Sequence, residues 1–122
     1  MNILVADHQA RVRFALRMLL ERLLGLKVTG EASNVAELML MLKETRPDVL
    51  LLDWELPELN ASRLLPELYT LCPELQVIAV SSRPEMRQSA LEAGVHAFIN
   101  KADPPDALLA AINACSQLPA RS

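Results

Sequence analysis

Four short apolar runs in this 122-residue chain end on side chains that can do chemistry. Residues 3–6 (ILVA) are followed by Asp7 and His8, residues 48–52 (DVLLL) by Asp53, residues 75–80 (LQVIAV) by Ser81 and Ser82, and residues 95–100 (VHAFIN) by Lys101. Carboxylates with an imidazole can hold a divalent cation. A carboxylate nucleophile flanked by an ammonium and a hydroxyl can take up an anionic group and neutralise it. Either chemistry requires that the four run ends meet in space.

The intervening sequence says how they could meet. After the first run, Val12, Ala15, Leu16, Leu19, Leu20 and Leu23 recur with helical spacing, and Gly25 closes that helix. Residues 26–30 (LKVTG) read as a short strand. Asn34 and Glu37 have capping-box spacing, Val35, Leu38, Met39 and Leu42 form an apolar helix face, and Pro47 ends it. Residues 48–52 lack polar alternation, as a central strand buried on both faces would. Residues 60–71 are helical in pattern, with Pro66 predicting a kink or a late start because it has no N–H to donate. Ser82 as N-cap, Pro84 at the first helical position and Glu85 as capping acid open a helix that Gly94 terminates. Asp103 as N-cap and Pro104 near the first position open the last helix, whose inner face is Leu108, Ala111, Ile112 and Cys115. Strands alternating with helices imply an α/β fold, a doubly wound parallel sheet with right-handed crossovers. Ligand chemistry in such a sheet lies beyond the carboxyl ends of the strands, which is where Asp7, His8, Asp53, Ser81 and Lys101 fall.

Composition narrows the function. Lys and Arg number 12 against 15 Asp and Glu, a net charge of −3 that argues against an electrostatic grip on nucleic acid or an anionic membrane. The aromatics Phe14, Trp54, Tyr69 and Phe98 are too few and scattered to stack on single strands. Cys72 and Cys115 form no CxxC pair and read as buried thiols of a reducing compartment. No apolar run is long enough for a signal-peptide core or a membrane span, and the expected location is cytoplasmic. The arginines of the first helix read as its solvated face, with Arg17 and Glu21 paired at i, i+4, and His96 reads as a structural histidine in the fifth strand.

VADHQ, LLLDWELPELN, VIAVSS, LEAGVHAFINK and DPPDAL, in this order, resemble the receiver domain of a bacterial response regulator across residues 2–117. The absence of a proline directly after Lys101 and the DPPDAL segment are most similar to receivers of LuxR-type helix-turn-helix regulators. The resemblance implies a flavodoxin-like (βα)5 fold with strand order 2-1-3-4-5, a receiver domain over 1–117, and a tail or linker stump at 118–122. It implies that Asp53 is the phosphoacceptor for a sensor histidine kinase. Lys101 would pair with the acceptor and then with a phosphoryl oxygen, Ser81 would be the switch hydroxyl, and Phe98 would occupy the switch aromatic position. Mg²⁺, with Mn²⁺ as substitute, would be held by Asp7, Asp53 and the backbone carbonyl of Glu55. Phosphorylation would alter dimerisation, most simply of a homodimer, or an output domain for transcription regulation. Receivers of this type usually continue into a DNA-binding domain, and this domain itself would not touch nucleic acid. No turnover of an external substrate is implied.

The departures from the family pattern matter as much. Two adjacent acids usually end strand one; here they are Asp7 and His8, so His8 stands where a metal-binding acid is usual, a doubtful Mg²⁺ ligand because Mg²⁺ prefers oxygen. A one-residue deletion that makes Asp7 the second acid is the other alignment, which the unbroken first-helix register disfavours. Ala61 replaces a common glycine, and Pro66 disturbs the third helix. An alternative function is therefore an interaction module that works without phosphorylation. A small nucleotide-binding protein is a weaker reading, because VADHQAR contains no glycine to build a phosphate loop.

Overall fold

The computed structural model describes residues 1–116; the expected tail at 118–122 and the final residue of the 1–117 domain lie outside the described residues. The elements are β1 (Asn2–Ala6), α1 (Ala10–Met18) continued by a π-helical turn (Leu19–Leu23), β2 (Lys27–Ala32), α2 (Val35–Thr45), β3 (Val49–Asp53), α3 (Ala61–Leu71), β4 (Gln76–Ser81), a 3-10 turn (Pro84–Met86) leading into α4 (Arg87–Ala93), β5 (Ala97–Asn100) and α5 (Pro105–Ser116). All strand pairs are parallel, and the order is 2-1-3-4-5. This is the flavodoxin-like arrangement expected from the alternation and the resemblance. Every residue of β3 and β4 is buried, because helices cover both faces of the central strands.

Side chains alternate across the sheet with period two, giving two core layers. Leu4, Leu50, Leu52, Val77 and Ala79 face α2, α3 and α4 through Leu38, Leu42, Leu64, Leu65, Leu68 and Ala90. Ile3, Val5, Leu51, Ile78 and Val80 face Leu20 and the α5 residues Leu108, Ala111, Ile112 and Cys115. Each fully buried aliphatic side chain contributes about 1.5–3 kcal/mol, so these layers hold the strand ends in fixed relation.

Several local expectations are corrected. β2 runs two residues past the predicted 26–30, with a register shift against β1 between Ile3 and Leu4. α3 starts directly after Asn60, so Pro66 does not delay it. Ser82 is not a helix cap: Pro84 opens a 3-10 turn and Arg83 occupies the cap position without a side-chain cap. The last helix begins at Pro105 and not Pro104, and the Asp103 carboxylate accepts from the Asn100 amide at 3.0 Å. His96 precedes β5; its Nδ1 accepts from the Val77 amide at 3.0 Å and its ring meets Tyr69 edge-on, a structural role. Cys115 is buried, whereas Cys72 is only half-buried. Ala15 is exposed and α1 buries no residue, although Leu20 in the following turn is fully buried. The α1 arginines are not merely solvated. Arg17 pairs with Glu21 as expected but also with Glu31 on β2, which Arg13 contacts as well.

The carboxyl ends of the strands

The fold brings the predicted groups to one edge of the sheet. β1 delivers Asp7 and β3 ends on Asp53; both are buried to 1% exposure, while His8 sits beside them partly exposed. The His8 imidazole Nδ1 lies 2.5 Å from Asp53 Oδ2, and the His8 amide donates to the same oxygen at 3.2 Å. Lys101, carried past the end of β5, places its Nζ 3.3 Å from Asp53 Oδ1 and 3.2 Å from Asp7 Oδ2. The Glu55 amide also donates to Asp53 Oδ1, at 2.8 Å. Each oxygen of Asp53 therefore faces its own partners, Oδ1 the Lys101 ammonium and the Glu55 amide, Oδ2 the imidazole and amide of His8.

Backbone geometry builds this cradle. The Trp54 amide donates to the Val80 carbonyl at 2.8 Å, so the chain leaving β3 folds against β4, and the next amide turns back to its strand-end carboxylate. Gln9 does the same for Asp7, its amide donating to Oδ1 at 2.8 Å. The Lys101 amide donates to the Ser81 carbonyl at 2.8 Å, which fixes where the lysine side chain begins.

The two carboxylates are tuned apart. Burial raises Asp7 above the usual carboxylate range, and nearby Asp53 adds to this, against the Gln9 amide and the Lys101 ammonium. Burial also pushes Asp53 up, but the His8 imidazole, the amides of Glu55 and His8, and the Lys101 ammonium outweigh it and hold Asp53 below that range. Asp53 is accordingly the more readily ionised carboxylate of the pair, and a carboxylate nucleophile acts in its ionised form.

Asp7 Oδ2 is buried, has the Lys101 ammonium as an ion-pair partner, and accepts no well-directed hydrogen bond among the described residues. It faces the site with the Lys101 ammonium 3.2 Å away. Single ligand atoms of Asp7, His8 and Asp53 lie within 4.8 Å of one another, so the three can close on one ion. The donor set is carboxylate, imidazole, carboxylate, a poor match to the all-oxygen preference of Mg²⁺.

Sequence reasoning missed the side chain of Glu55, having assigned that residue only a backbone role. Its Oε1 accepts from Ser82 Oγ at 2.6 Å, from the Ser82 amide at 3.1 Å and from Ser81 Oγ at 3.1 Å, while Oε2 lies 3.9 Å from Lys101 Nζ. The Ser82 hydroxyl leads in holding Glu55 below the usual carboxylate range. Ser82 thus belongs to the site rather than to α4. Phe98 does not join it: the ring is buried on the α4 side of the sheet, with the Arg87 guanidinium 5.1 Å above its centroid. Trp54, directly after Asp53, is half-buried against the same core layer.

Comparison with known proteins gives a consistent picture. A family profile described as the response regulator receiver domain matches residues 3–113. The transcriptional regulatory protein CitT of Bacillus subtilis is 32% identical over 102 residues, which cover 82% of this chain and 45% of that protein. The chemotaxis protein CheY of Thermotoga maritima is 29% identical over 95% of this chain and 98% of its own length. A two-component response regulator of the LuxR family from Aurantimonas sp. superimposes with a TM-score of 0.82 at 26% identity, covering 93% of this chain and 82% of that one. The chain thus spans less than half of CitT and nearly all of CheY.

Proposed function

This chain belongs to the response regulator receiver family of two-component systems, and from that premise we propose that it is a phosphorylated switch whose acceptor is Asp53. The observation that carries the reading is the environment of Asp53: a buried carboxylate at the end of β3, held below the usual carboxylate range, with Lys101 on one oxygen and His8 on the other. Nucleophilic attack by Asp53 on a phosphoryl donor forms the acyl phosphate, and the donor's leaving group departs with the bonding pair. Lys101 neutralises a phosphoryl oxygen, and the Ser81 hydroxyl and Ser82 amide supply hydrogen bonds once Glu55 releases them. No step is assigned to Mg²⁺, because the imidazole in the donor set fits it poorly.

Receivers work with histidine kinases and often dimerise. Here the proposed donor is a sensor histidine kinase, and the proposed location of this chain is the cytoplasm. The proposed response is a shift in a pre-existing conformational equilibrium that changes homodimerisation or an attached transcriptional output. No helix among the described residues is long and apolar enough to cross a membrane.

The test is intact-mass analysis after incubation with acetyl phosphate and excess Mg²⁺ or Mn²⁺, beside Asp53→Asn. One labile phosphoryl adduct, absent from the Asn variant, supports the reading. A folded protein that acquires none with either metal refutes it, and leaves the phosphate-independent interaction module.

A further inference from the structure

We propose that Asp7, His8 and Asp53 form a site for a first-row transition-metal dication, with the His8 imidazole as a direct ligand, rather than a Mg²⁺ site. The proposal deepens the reading of the acceptor site and rests on its location, but its chemistry follows from His8. A ligand atom of each residue lies within 4.8 Å of the others. His8 Nδ1 is 2.5 Å from Asp53 Oδ2 and 3.9 Å from Asp7 Oδ1. Two ligands on one such ion stand ~3 Å apart, given metal–ligand bonds of about 2.0–2.2 Å. The two His8 separations bracket that distance.

Three further observations favour an ion over a closed hydrogen-bonded cluster. Asp7 Oδ2 is buried and, among the described residues, accepts no well-directed hydrogen bond, with the Lys101 ammonium facing it at 3.2 Å. Lys101 lies between Asp53 Oδ1 and Asp7 Oδ2, whereas His8 faces Asp53 Oδ2 and Asp7 Oδ1, so a dication seated on the His8 side leaves the ammonium in place. His8 is also partly exposed while both carboxylates are buried, which leaves one open side for water ligands and entry. Replacing an oxygen ligand by imidazole nitrogen costs Mg²⁺, which tolerates few such donors, and favours Co²⁺, Ni²⁺ and Zn²⁺ in the order set by ligand-field strength and softness.

Trp54 is the sole tryptophan and follows the acceptor directly, so its fluorescence reports binding; the two histidines, His8 and His96, give separate imidazole ¹⁵N signals. The experiment titrates wild type, His8→Ala and His8→Asp with Mg²⁺, Co²⁺, Ni²⁺ and Zn²⁺, and records the ¹⁵N shift of His8 with Zn²⁺. Expected for wild type are Ni²⁺ and Co²⁺ at least about ten-fold tighter than Mg²⁺, and a zinc-induced shift at His8 Nδ1 with His96 unmoved. His8→Ala should lose most transition-metal affinity, and His8→Asp should gain Mg²⁺ affinity while losing the preference. Wild-type preference that survives in His8→Ala, or a His8 resonance unchanged at saturating Zn²⁺, overturns the proposal. Failure of acetyl phosphate to modify a protein whose His8 binds Zn²⁺ would instead sink the phosphorylation reading alone. Phosphorylation with Mg²⁺ but no His8–metal signal would sink only this one.

Discussion

Replacing Glu55 by Gln should speed acyl phosphate formation on Asp53 about five-fold. In the unphosphorylated protein one oxygen of Glu55 holds both serine hydroxyls and the Ser82 amide, with the Ser81 contact at 3.1 Å. Hydrogen bonds to a charged acceptor are worth ~1.5–3 kcal/mol when well formed, and the side chain here is 28% exposed, so the Ser81 contact is nearer ~1 kcal/mol. Ser81 must give up that contact before it can donate to a phosphoryl oxygen, and the Glu55 charge stands near the incoming dianion. Gln keeps the shape and an acceptor oxygen but removes the charge, and ~1 kcal/mol off the barrier is about five-fold in rate. The assay is the initial rate of adduct formation by intact mass at subsaturating acetyl phosphate and fixed Mn²⁺. Adding Ser81→Ala to the Gln variant should cancel most of the gain. A Gln variant that is no faster than wild type, with its circular dichroism and melting curve intact, refutes the idea that Glu55 occupies the phosphoryl donors.

The remaining predictions concern what holds the site and its scaffold. Lys101→Met leaves Asp7 and Asp53 facing each other without an ammonium that is itself only 14% exposed, and should cost about 2–3 kcal/mol by urea unfolding. Adding Asp53→Asn should recover part of that loss; no recovery would mean the lysine acts through packing alone. Asn34→Ala removes the acceptor for the Glu37 amide at 2.8 Å and should lower stability by about 1 kcal/mol, roughly 3–6 °C in Tm. Glu37 is held below its ordinary value of 4.5 chiefly by the Ser33 hydroxyl and then the Ser33 amide. A depressed carboxylate stabilises the fold above its unfolded pKa and loses that contribution as pH falls through its folded value. Glu37→Gln should therefore melt lower than wild type at pH 7, and the two Tm values should converge as the pH drops below 4; a gap that persists in acid would contradict this.

The strand order came with the resemblance to receivers, whereas the parallel sheet and the convergence of Asp7, Asp53, Ser81 and Lys101 were legible in the residues themselves because both follow from one regularity. Apolar runs without alternation must be central parallel strands, and a parallel sheet aligns all their carboxyl ends. Local detail was less legible where two rules compete for one residue. Ser82, Pro84 and Glu85 spell a helix start, yet the residue before a proline is driven out of helical geometry. Arg83 is accordingly extended at φ −115° and ψ 96°. That strips Ser82 of its capping role and turns its hydroxyl and amide to Glu55. The same rule acts at Pro104, which precedes Pro105 and so cannot begin the helix that Pro105 opens.

His8 shows a different limit. Its replacement of an acid could be read from the sequence, but its partner could not, since an imidazole at that position could face solvent, Asp7 or a metal. The partner is set by the turn after β1. The Gln9 amide takes Asp7 Oδ1, Arg13 Nη1 takes the Asp7 carbonyl at 2.6 Å, and the His8 amide is left pointing at Asp53 Oδ2 with the ring following it. Asp53 thereby gains a donor that an acid at position 8 could not supply, because two adjacent carboxylates would repel and push its pKa up. The substitution that weakens an oxygen-only metal site thus holds Asp53 below the usual carboxylate range by other means, and a receiver with His8 need not lose a nucleophilic carboxylate along with its Mg²⁺ ligand.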